Sequence, residues 1–117
     1  MTMYGDGGAN QGQLYEAVNM ASVWKLPLLL FCENNRYAMG TTVERSSHGG
    51  DNFHAKLTTV PGIEFEGHDV FEVREVVKYA REFALENGPI FLNCKTYRYH
   101  GHSMSDPGIT YRNRQEV

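Results

Sequence analysis

The sequence lacks several features that would place a chain in a special class. Its longest apolar run, LPLLLFC, is far shorter than the roughly 18 residues that a membrane span needs. Its net charge is only -3, so no excess of basic residues points to nucleic acid or to a membrane surface. No internal repeat, low-complexity segment or targeting peptide is recognisable. We therefore expect a globular domain without nucleic-acid or membrane partners.

Cysteine is also scarce. The two cysteines, Cys32 and Cys94, each lie inside a strand-like apolar run, and they do not form a Cys-x-x-Cys pair. We predict two buried, reduced thiols, which fits a reducing compartment. The 117 residues suffice for one domain with one core. The chain opens on MTMY, which resembles the end of a strand, and closes on YRNRQEV, so we expect a piece of a longer subunit.

Strand and helix patterns alternate along the chain. MTMY, LLLFCE, IEFEG and IFLNCKTY predict four strands, and LLLFCE is apolar on both faces, as in a parallel sheet covered by helices. Helical spacing predicts helices over 10–25 and over about 69–86, the second with Asp69 as its N-cap. Residues 34–62 read as loop with one helical turn near 52–57. The residues expected to face the core are Leu14, Ala17, Val18, Ala21 and Trp24 in the first helix and Val73, Val76, Val77, Ala80, Phe83 and Ala84 in the second.

This alternation predicts an α/β fold, a parallel sheet with flanking helices. Ligands of such sheets bind at the carboxyl ends of the strands. Three loops fall there: the first loop (5–10), the second loop (34–42) and the third loop (97–110). The unusual chemistry of the sequence lies in these three loops.

In the first loop, glycines surround a carboxylate. Gly5, Gly7 and Gly8 allow the backbone to turn its N–H groups toward an anion such as a phosphate. Asp6 would oppose an anion unless a divalent cation lies between them, and Mg2+ prefers oxygen ligands from protein and phosphate. A tight turn with a local hydrogen bond to Asp6 would explain the same pattern without any ligand.

In the second loop, two asparagines follow the apolar strand directly. Asn34 and Asn35 carry amide oxygens that suit a hard cation, although two turn asparagines that bond their own backbone would look alike. The combination is more informative than either loop. A strand, the Gly-Asp-Gly turn, a helix and a second strand form a βαβ unit, which brings Asp6 and Asn35 to one site.

The text GDG at 5–7 followed by ENN at 33–35 resembles a thiamine diphosphate-binding motif. The surrounding stretch, YGDGGANQGQLYEAVNMASVWKLPLLLFCENNRYAMGT, is similar to the alpha subunit of the decarboxylating component of 2-oxo acid dehydrogenase complexes, most of all to the pyruvate dehydrogenases. The resemblance continues through PGIEFEGHDVFEVRE to TYRYHGHSMSDPG. It implies that residues 1–117 form a partial thiamine diphosphate- and magnesium-binding domain that includes a phosphorylation-type loop, 97–112.

The resemblance also implies roles for individual residues. Asp6 and Asn35 would be ligands of Mg2+, together with the backbone carbonyl of Tyr37. Gly7 and Gly8, with Gly5 beside them, would meet the diphosphate through backbone N–H groups. Two positions depart from the family pattern: Gly8 stands where alanine is more usual, and Ala38 where glycine is common. If position 38 had a positive φ angle, alanine there would store about 1 kcal/mol of strain.

The third loop has two histidines around a glycine, followed by serines. Taken alone, loop histidines are usually just solvated. By resemblance, His102 faces the diphosphate and the reacting centre, which makes it a candidate catalytic and cofactor-binding residue, and Ser103 is the main regulatory phosphorylation site. Thr110 and Thr42 align with two further regulatory serines. A phosphate on Ser103 would compete for Arg98 and Arg112, which we expect to order the loop through Asp106.

The implied activity is oxidative decarboxylation of pyruvate with transfer of the acetyl group to a lipoyl domain. The implied partners are the beta subunit of an α2β2 heterotetramer, the lipoyl domain of the acyltransferase, and a kinase and phosphatase acting on Ser103, all in the mitochondrial matrix. The wording YHGHSMSDPG favours pyruvate over branched-chain 2-oxo acids. A branched-chain or acetoin dehydrogenase remains an alternative, as does a truncated, non-catalytic fragment. The activating glutamate of the family comes from the beta subunit, so we predict that this chain alone is inactive.

Overall fold

A computed structural model describes residues 1–113 of the chain. Its main sheet has four strands in the order β1-β2-β6-β5, and all neighbouring pairs are parallel. The predicted parallel α/β sheet with flanking helices is confirmed. In chain order the elements are β1 (Thr2–Gly5), α1 (Asp6–Ala9), α2 (Gly12–Val23), β2 (Leu29–Asn34), β3 (Tyr37–Ala38), β4 (Thr41–Thr42), α3 (Val43–Ser46), α4 (Phe53–Lys56), β5 (Gly62–Glu66), α5 (Val70–Asn87) and β6 (Ile90–Lys95).

The sheet has an apolar core on each face. Because side chains alternate along a strand, Leu30 and Cys32 of β2 pack on the face that carries α1 and α2, while Leu29 and Phe31 pack on the face that carries α5. Strand β6 divides its side chains in the same way. This two-sided burial is the reason why LLLFCE reads as a continuous apolar run. Cys32 and Cys94 are both buried free thiols, as predicted.

The first helical region differs from the prediction of one helix over 10–25. Residues of the glycine-rich turn form the short helix α1, and α2 ends at Val23. The end of α2 is a Schellman motif: Lys25 has a φ of 50°, and the N–H groups of Lys25 and Leu26 donate to carbonyls of the last turn. The helix therefore ends before Pro27. Trp24 is 61% exposed and Ala17 is exposed, so the predicted apolar stripe holds only for Leu14, Val18 and Ala21.

The second long helix follows the prediction closely. Asp69 is the N-cap of α5, and its Oδ1 accepts hydrogen bonds from the N–H groups of Phe71 (2.9 Å) and Glu72 (3.2 Å). Ala80 and Ala84 are fully buried against the sheet, and the predicted valines and Phe83 pack beside them. Gly88, with a φ of 103°, follows the last helical residue.

The segment 34–62 contains more structure than predicted. The expected helical turn is α4, capped by the side chain of Asn52. The sequence analysis missed α3 and the two-residue antiparallel ribbon of β3 and β4. Elements this short carry no periodic pattern, since they consist of two to four residues. Within residues 1–113, no helix is long and apolar enough to cross a membrane.

Candidate functional site

The three predicted loops converge on one cavity. It has a volume of about 560 Å3 and lies at the carboxyl ends of β1, β2 and β6. All seven residues expected to bind the cofactor or metal line it, and Ser103 does not. The lining residues are Gly5, Asp6, Gly7, Gly8, Asn35, Tyr37, Ala38, Met39, Arg98, Gly101 and His102.

Asp6 is a buried carboxylate at the start of α1. It is only 4% exposed, with Gly5 as the N-cap before it. Burial raises the pKa of Asp6, and this is partly opposed by the backbone N–H groups of Asp6 and Asn35 and by the charge of Arg98. Within residues 1–113, no Lys, Arg or His nitrogen lies within 4.0 Å of its carboxylate oxygens. A buried carboxylate without an ion pair is an apt ligand for a cation.

The side chains of Asn34 and Asn35 both accept a hydrogen bond from a nearby backbone N–H group, but they differ in their relation to the cavity. Oδ1 of Asn34 accepts the N–H of Arg36 at 3.0 Å, and Oδ1 of Asn35 accepts the N–H of Tyr37 at 3.1 Å. The turn interpretation is therefore correct for both residues. Only Asn35 lines the cavity, and its amide oxygen retains a second lone pair for another partner. Asn34 is fully buried, and its Nδ2 has no hydrogen-bond partner among residues 1–113.

The condition for strain at Ala38, a positive φ angle, is not met. Ala38 has no positive φ, whereas Arg36 (φ 67°) and Met39 (φ 58°) do. The ribbon of β3 and β4 sets this path, since it pairs Tyr37 and Ala38 with Thr42 and Thr41. Ala38 also explains one glycine of the first loop. A Cβ on Gly7 would lie 2.8 Å from the Cβ of Ala38, so the two loops can approach this closely only with glycine at position 7.

In the third loop, Asp106 is the centre of a hydrogen-bond network. Its carboxylate accepts the N–H groups of His102 (2.8 Å) and Gly108 (2.8 Å) and the hydroxyl of Tyr111 (2.6 Å). These donors, the Tyr111 hydroxyl foremost, lower the pKa of Asp106 to about 2. The network holds the backbone of His102 next to the cavity. A Cβ on Gly101 would lie 2.0 Å from the carbonyl oxygen of Asp106, so the loop closes on itself only with glycine there.

The two arginines of the third loop order it differently from our expectation. Neither donates a hydrogen bond to Asp106. Arg112 is only 8% exposed and donates to the carbonyls of Gly108 (2.9 Å), His100 (3.0 Å) and Arg98. Arg98 donates Nη2 to the carbonyl oxygen of Tyr37 (2.5 Å) and Nη1 to that of Met39 (2.7 Å). Bonds to backbone carbonyls leave no residue pattern, so sequence reasoning could not find them.

Ser103 lies on the outer side of the third loop. Its side chain is exposed, and its hydroxyl oxygen is 3.1 Å from that of Ser105. An exposed hydroxyl is open to a modifying enzyme. The structure therefore separates two neighbouring residues, with His102 lining the cavity and Ser103 outside it.

The residues that could bind a metal ion in the cavity differ in the group that each would offer. Within residues 1–113 there is no group of three His, Cys, Asp or Glu side chains that could hold a metal ion. Three of the residues that line the cavity could instead offer oxygen ligands: Asp6 with its carboxylate, Asn35 with its side-chain amide and Tyr37 with its backbone carbonyl. Carboxylate, amide and carbonyl oxygens are the ligand types that hard cations such as Mg2+ prefer.

Comparison with known proteins gives a consistent result. The family described as dehydrogenase E1 component matches residues 1–117. The alpha subunit of the pyruvate dehydrogenase E1 component of Dictyostelium discoideum is 59% identical over the whole chain, which covers 31% of that protein. The somatic human form is 51% identical over the whole chain, which covers 30% of it, and the Solanum tuberosum subunit is 55% identical over 98% of the chain and 29% of its own length. The chain thus spans about 30% of the curated relatives that it matches. The chain belongs to the dehydrogenase E1 component family.

Proposed function

We propose that this chain is the metal- and diphosphate-binding part of a pyruvate dehydrogenase E1 alpha subunit. One observation carries the proposal: Asp6, a buried carboxylate with no ion pair among residues 1–113, lines the same cavity as Asn35 and Tyr37. Relatives that are 51–59% identical over the chain carry that name. The whole enzyme would decarboxylate pyruvate oxidatively and transfer the acetyl group to a lipoyl domain.

The oxygen ligands of the cavity fit Mg2+. Burial raises the pKa of Asp6, so a cation at this carboxylate would relieve the cost of burying its charge. Asn35 and the Tyr37 carbonyl would each add one neutral oxygen. These three protein oxygens would leave room in the ligand set of Mg2+ for diphosphate oxygens, which this ion commonly takes as partners.

The glycines would hold the diphosphate itself. The backbone of Gly7 and Gly8 lines the cavity without a side chain in the way, so their N–H groups can reach phosphate oxygens. His102 and Arg98 lie across the cavity on the third loop. A histidine there can donate a hydrogen bond to an anion or move a proton at the reacting centre, which is the catalytic role we propose for His102.

Thiamine diphosphate would supply a carbon nucleophile and an electron sink for decarboxylation. The residues of this chain would anchor its diphosphate and orient it, and would not replace that chemistry. The activating glutamate would come from a beta subunit in an α2β2 heterotetramer. We propose that the chain alone does not turn over pyruvate, and that the complete enzyme works in the mitochondrial matrix, the location that the names of the relatives carry.

Ser103 would be a regulatory phosphorylation site for a kinase and a phosphatase. Its exposed hydroxyl is one residue from His102, whose backbone N–H is bonded to Asp106. A phosphate there would add about -1.5 to -2 charges beside this carboxylate and near an anionic cofactor. The repulsion would disturb the third loop. We make no such proposal for Thr42 or Thr110.

Calorimetric titration of the 117-residue chain, alone and co-expressed with a pyruvate dehydrogenase beta subunit, tests the proposal. We expect Mg2+ and thiamine diphosphate to bind together, and Asp6→Asn to abolish metal-dependent binding. Asp69→Asn is the matched control, since it makes the same change at the exposed helix cap of α5. An absence of binding by the unmutated chain in both settings would contradict the proposal and favour a non-catalytic fragment.

A further inference from the structure

We propose that Arg98 is a positioning residue that fixes the Tyr37 carbonyl oxygen as a metal ligand. The inference rests on the function proposed above and concerns one side chain of the third loop. Arg98 and Tyr37 are 61 residues apart in the sequence, yet Nη2 of Arg98 lies 2.5 Å from the Tyr37 carbonyl oxygen.

The guanidinium holds two carbonyls at once. Nη1 donates to the Met39 carbonyl at 2.7 Å while Nη2 donates to that of Tyr37. The planar fork of an arginine thus spans a turn of three residues, which a point-like ammonium group cannot do in the same way. The turn contains Met39 at a φ of 58°, a conformation that a non-glycine residue keeps only when its surroundings enforce it. Arg98 supplies part of that enforcement.

Arg98 does not take the position of the metal ion. Ligand oxygens of one Mg2+ lie about 2.1 Å from the ion, so a group at the ion's position would be in direct contact with Asp6. No nitrogen of Arg98 comes within 4.0 Å of an Asp6 carboxylate oxygen. The guanidinium therefore contacts the Tyr37 carbonyl without contacting Asp6. A carbonyl oxygen has two lone pairs, so one can accept from Arg98 and the other can face the cavity.

The third loop in turn holds Arg98. The backbone carbonyl of Arg98 accepts from the buried guanidinium of Arg112, and its Nη1 lies 3.4 Å from the hydroxyl of Tyr111. Arg98 thus links the network around Asp106 to the turn that carries Tyr37. The geometry of one metal ligand depends on a side chain that never touches the metal, as is common for residues that orient ligands.

Mn2+ as a spectroscopic probe in place of Mg2+ tests the inference directly. The 117-residue chain, co-expressed with a beta subunit, would be labelled with 13C at its tyrosine carbonyl carbons and loaded with Mn2+ and thiamine diphosphate. Tyr37 is the one tyrosine among the described residues that line the cavity, so a 13C coupling to Mn2+ reports its carbonyl. We expect this coupling in the unmutated protein.

In Arg98→Gln we expect the coupling to be lost and the Kd for Mn2+ to rise about tenfold, the lower end of the usual effect of removing a ligand-orienting group. Arg98→Lys, which keeps the charge, should restore binding in part. Arg36→Gln is the matched control, because it also removes a guanidinium, in this case from the second loop, where Arg36 bonds to the exposed Glu44. It should leave both the coupling and the Kd unchanged.

The outcomes separate this inference from the proposed function. If Arg98→Gln keeps the coupling and the Kd, or binds Mn2+ more tightly, the positioning role is wrong while the metal site stands. If the unmutated protein binds no Mn2+, the proposed function fails and the role of Arg98 fails with it. Far-UV circular dichroism of each variant checks the fold, and Arg98→Lys keeps the test decisive if the glutamine variant does not fold.

Discussion

The hydroxyl of Tyr111 donates a hydrogen bond to Oδ2 of Asp106 at 2.6 Å. The same carboxylate accepts two backbone N–H groups, so one side chain closes the third loop from both directions. Hydrogen bonds to a carboxylate favour its charged form, which is why the pKa of Asp106 is lowered to about 2. This relationship makes the order of the loop dependent on pH.

Tyr111→Phe should make the third loop sensitive to milder acid. Because the pKa of Asp106 is lower in the folded loop than in an unfolded chain, its stabilising effect is complete above about pH 4 and is lost as the pH falls toward 2. Without the Tyr111 hydroxyl the pKa should rise toward its ordinary value. The amide NMR signals of His102 and Gly108, which donate to Asp106, should then shift at higher pH than in the unmutated chain.

Tyr99→Phe is the control for this titration, since Tyr99 is 62% exposed and belongs to the same loop region. In Tyr99→Phe, the amide signals of His102 and Gly108 should titrate as in the unmutated chain. Identical titration curves for Tyr111→Phe and the unmutated chain would contradict the role of the hydroxyl.

Asp6→Asn should stabilise the metal-free protein at neutral pH. Burial raises the pKa of Asp6 above its unfolded value, so the unmutated chain loses stability as the pH rises through the folded pKa. An uncharged amide avoids this cost. We expect the free energy of unfolding to rise at pH 7, measured by urea denaturation with a chelator present.

The gain from Asp6→Asn should shrink as the pH falls, because the carboxyl of the unmutated chain then becomes neutral as well. Asp69→Asn should change stability little at either pH, since asparagine is also a good N-cap. A loss of stability in Asp6→Asn without metal would show that the carboxylate has a structural rather than a ligand role.

Among the phenylalanines of the sheet, Phe91 should be the one whose replacement by alanine lowers the free energy of unfolding most. Phe91 in β6 is fully buried, and its removal should cost about 3–5 kcal/mol of the free energy of unfolding. Phe71→Ala removes the same side chain from the surface of α5, where it is 74% exposed, and should cost no more than about 0.5 kcal/mol. Urea denaturation of both variants measures the difference, and equal losses would contradict the placement of the core.

Local patterns were enough to predict much of the fold. The run LLLFCE predicted a strand buried on two faces, and Asp69 predicted the start of α5, because both signals act within a few residues. The predicted end of α2 was wrong because the helix ends in a Schellman motif at Lys25 and not at Pro27. A lysine with a positive φ angle has no sequence signature, so this motif could not be predicted.

The sequence by itself determined which chemistry is present and at which edge of the sheet it lies. Asp6, Asn35 and His102 follow three strands that all end on the same side, so topology alone brings them together. Only the tertiary structure decided how they are held. The bonds from Arg98 to the Tyr37 carbonyl and from Tyr111 to Asp106 join residues through backbone geometry and loop path. Such contacts depend on the three-dimensional course of the chain, which no local pattern of residues encodes.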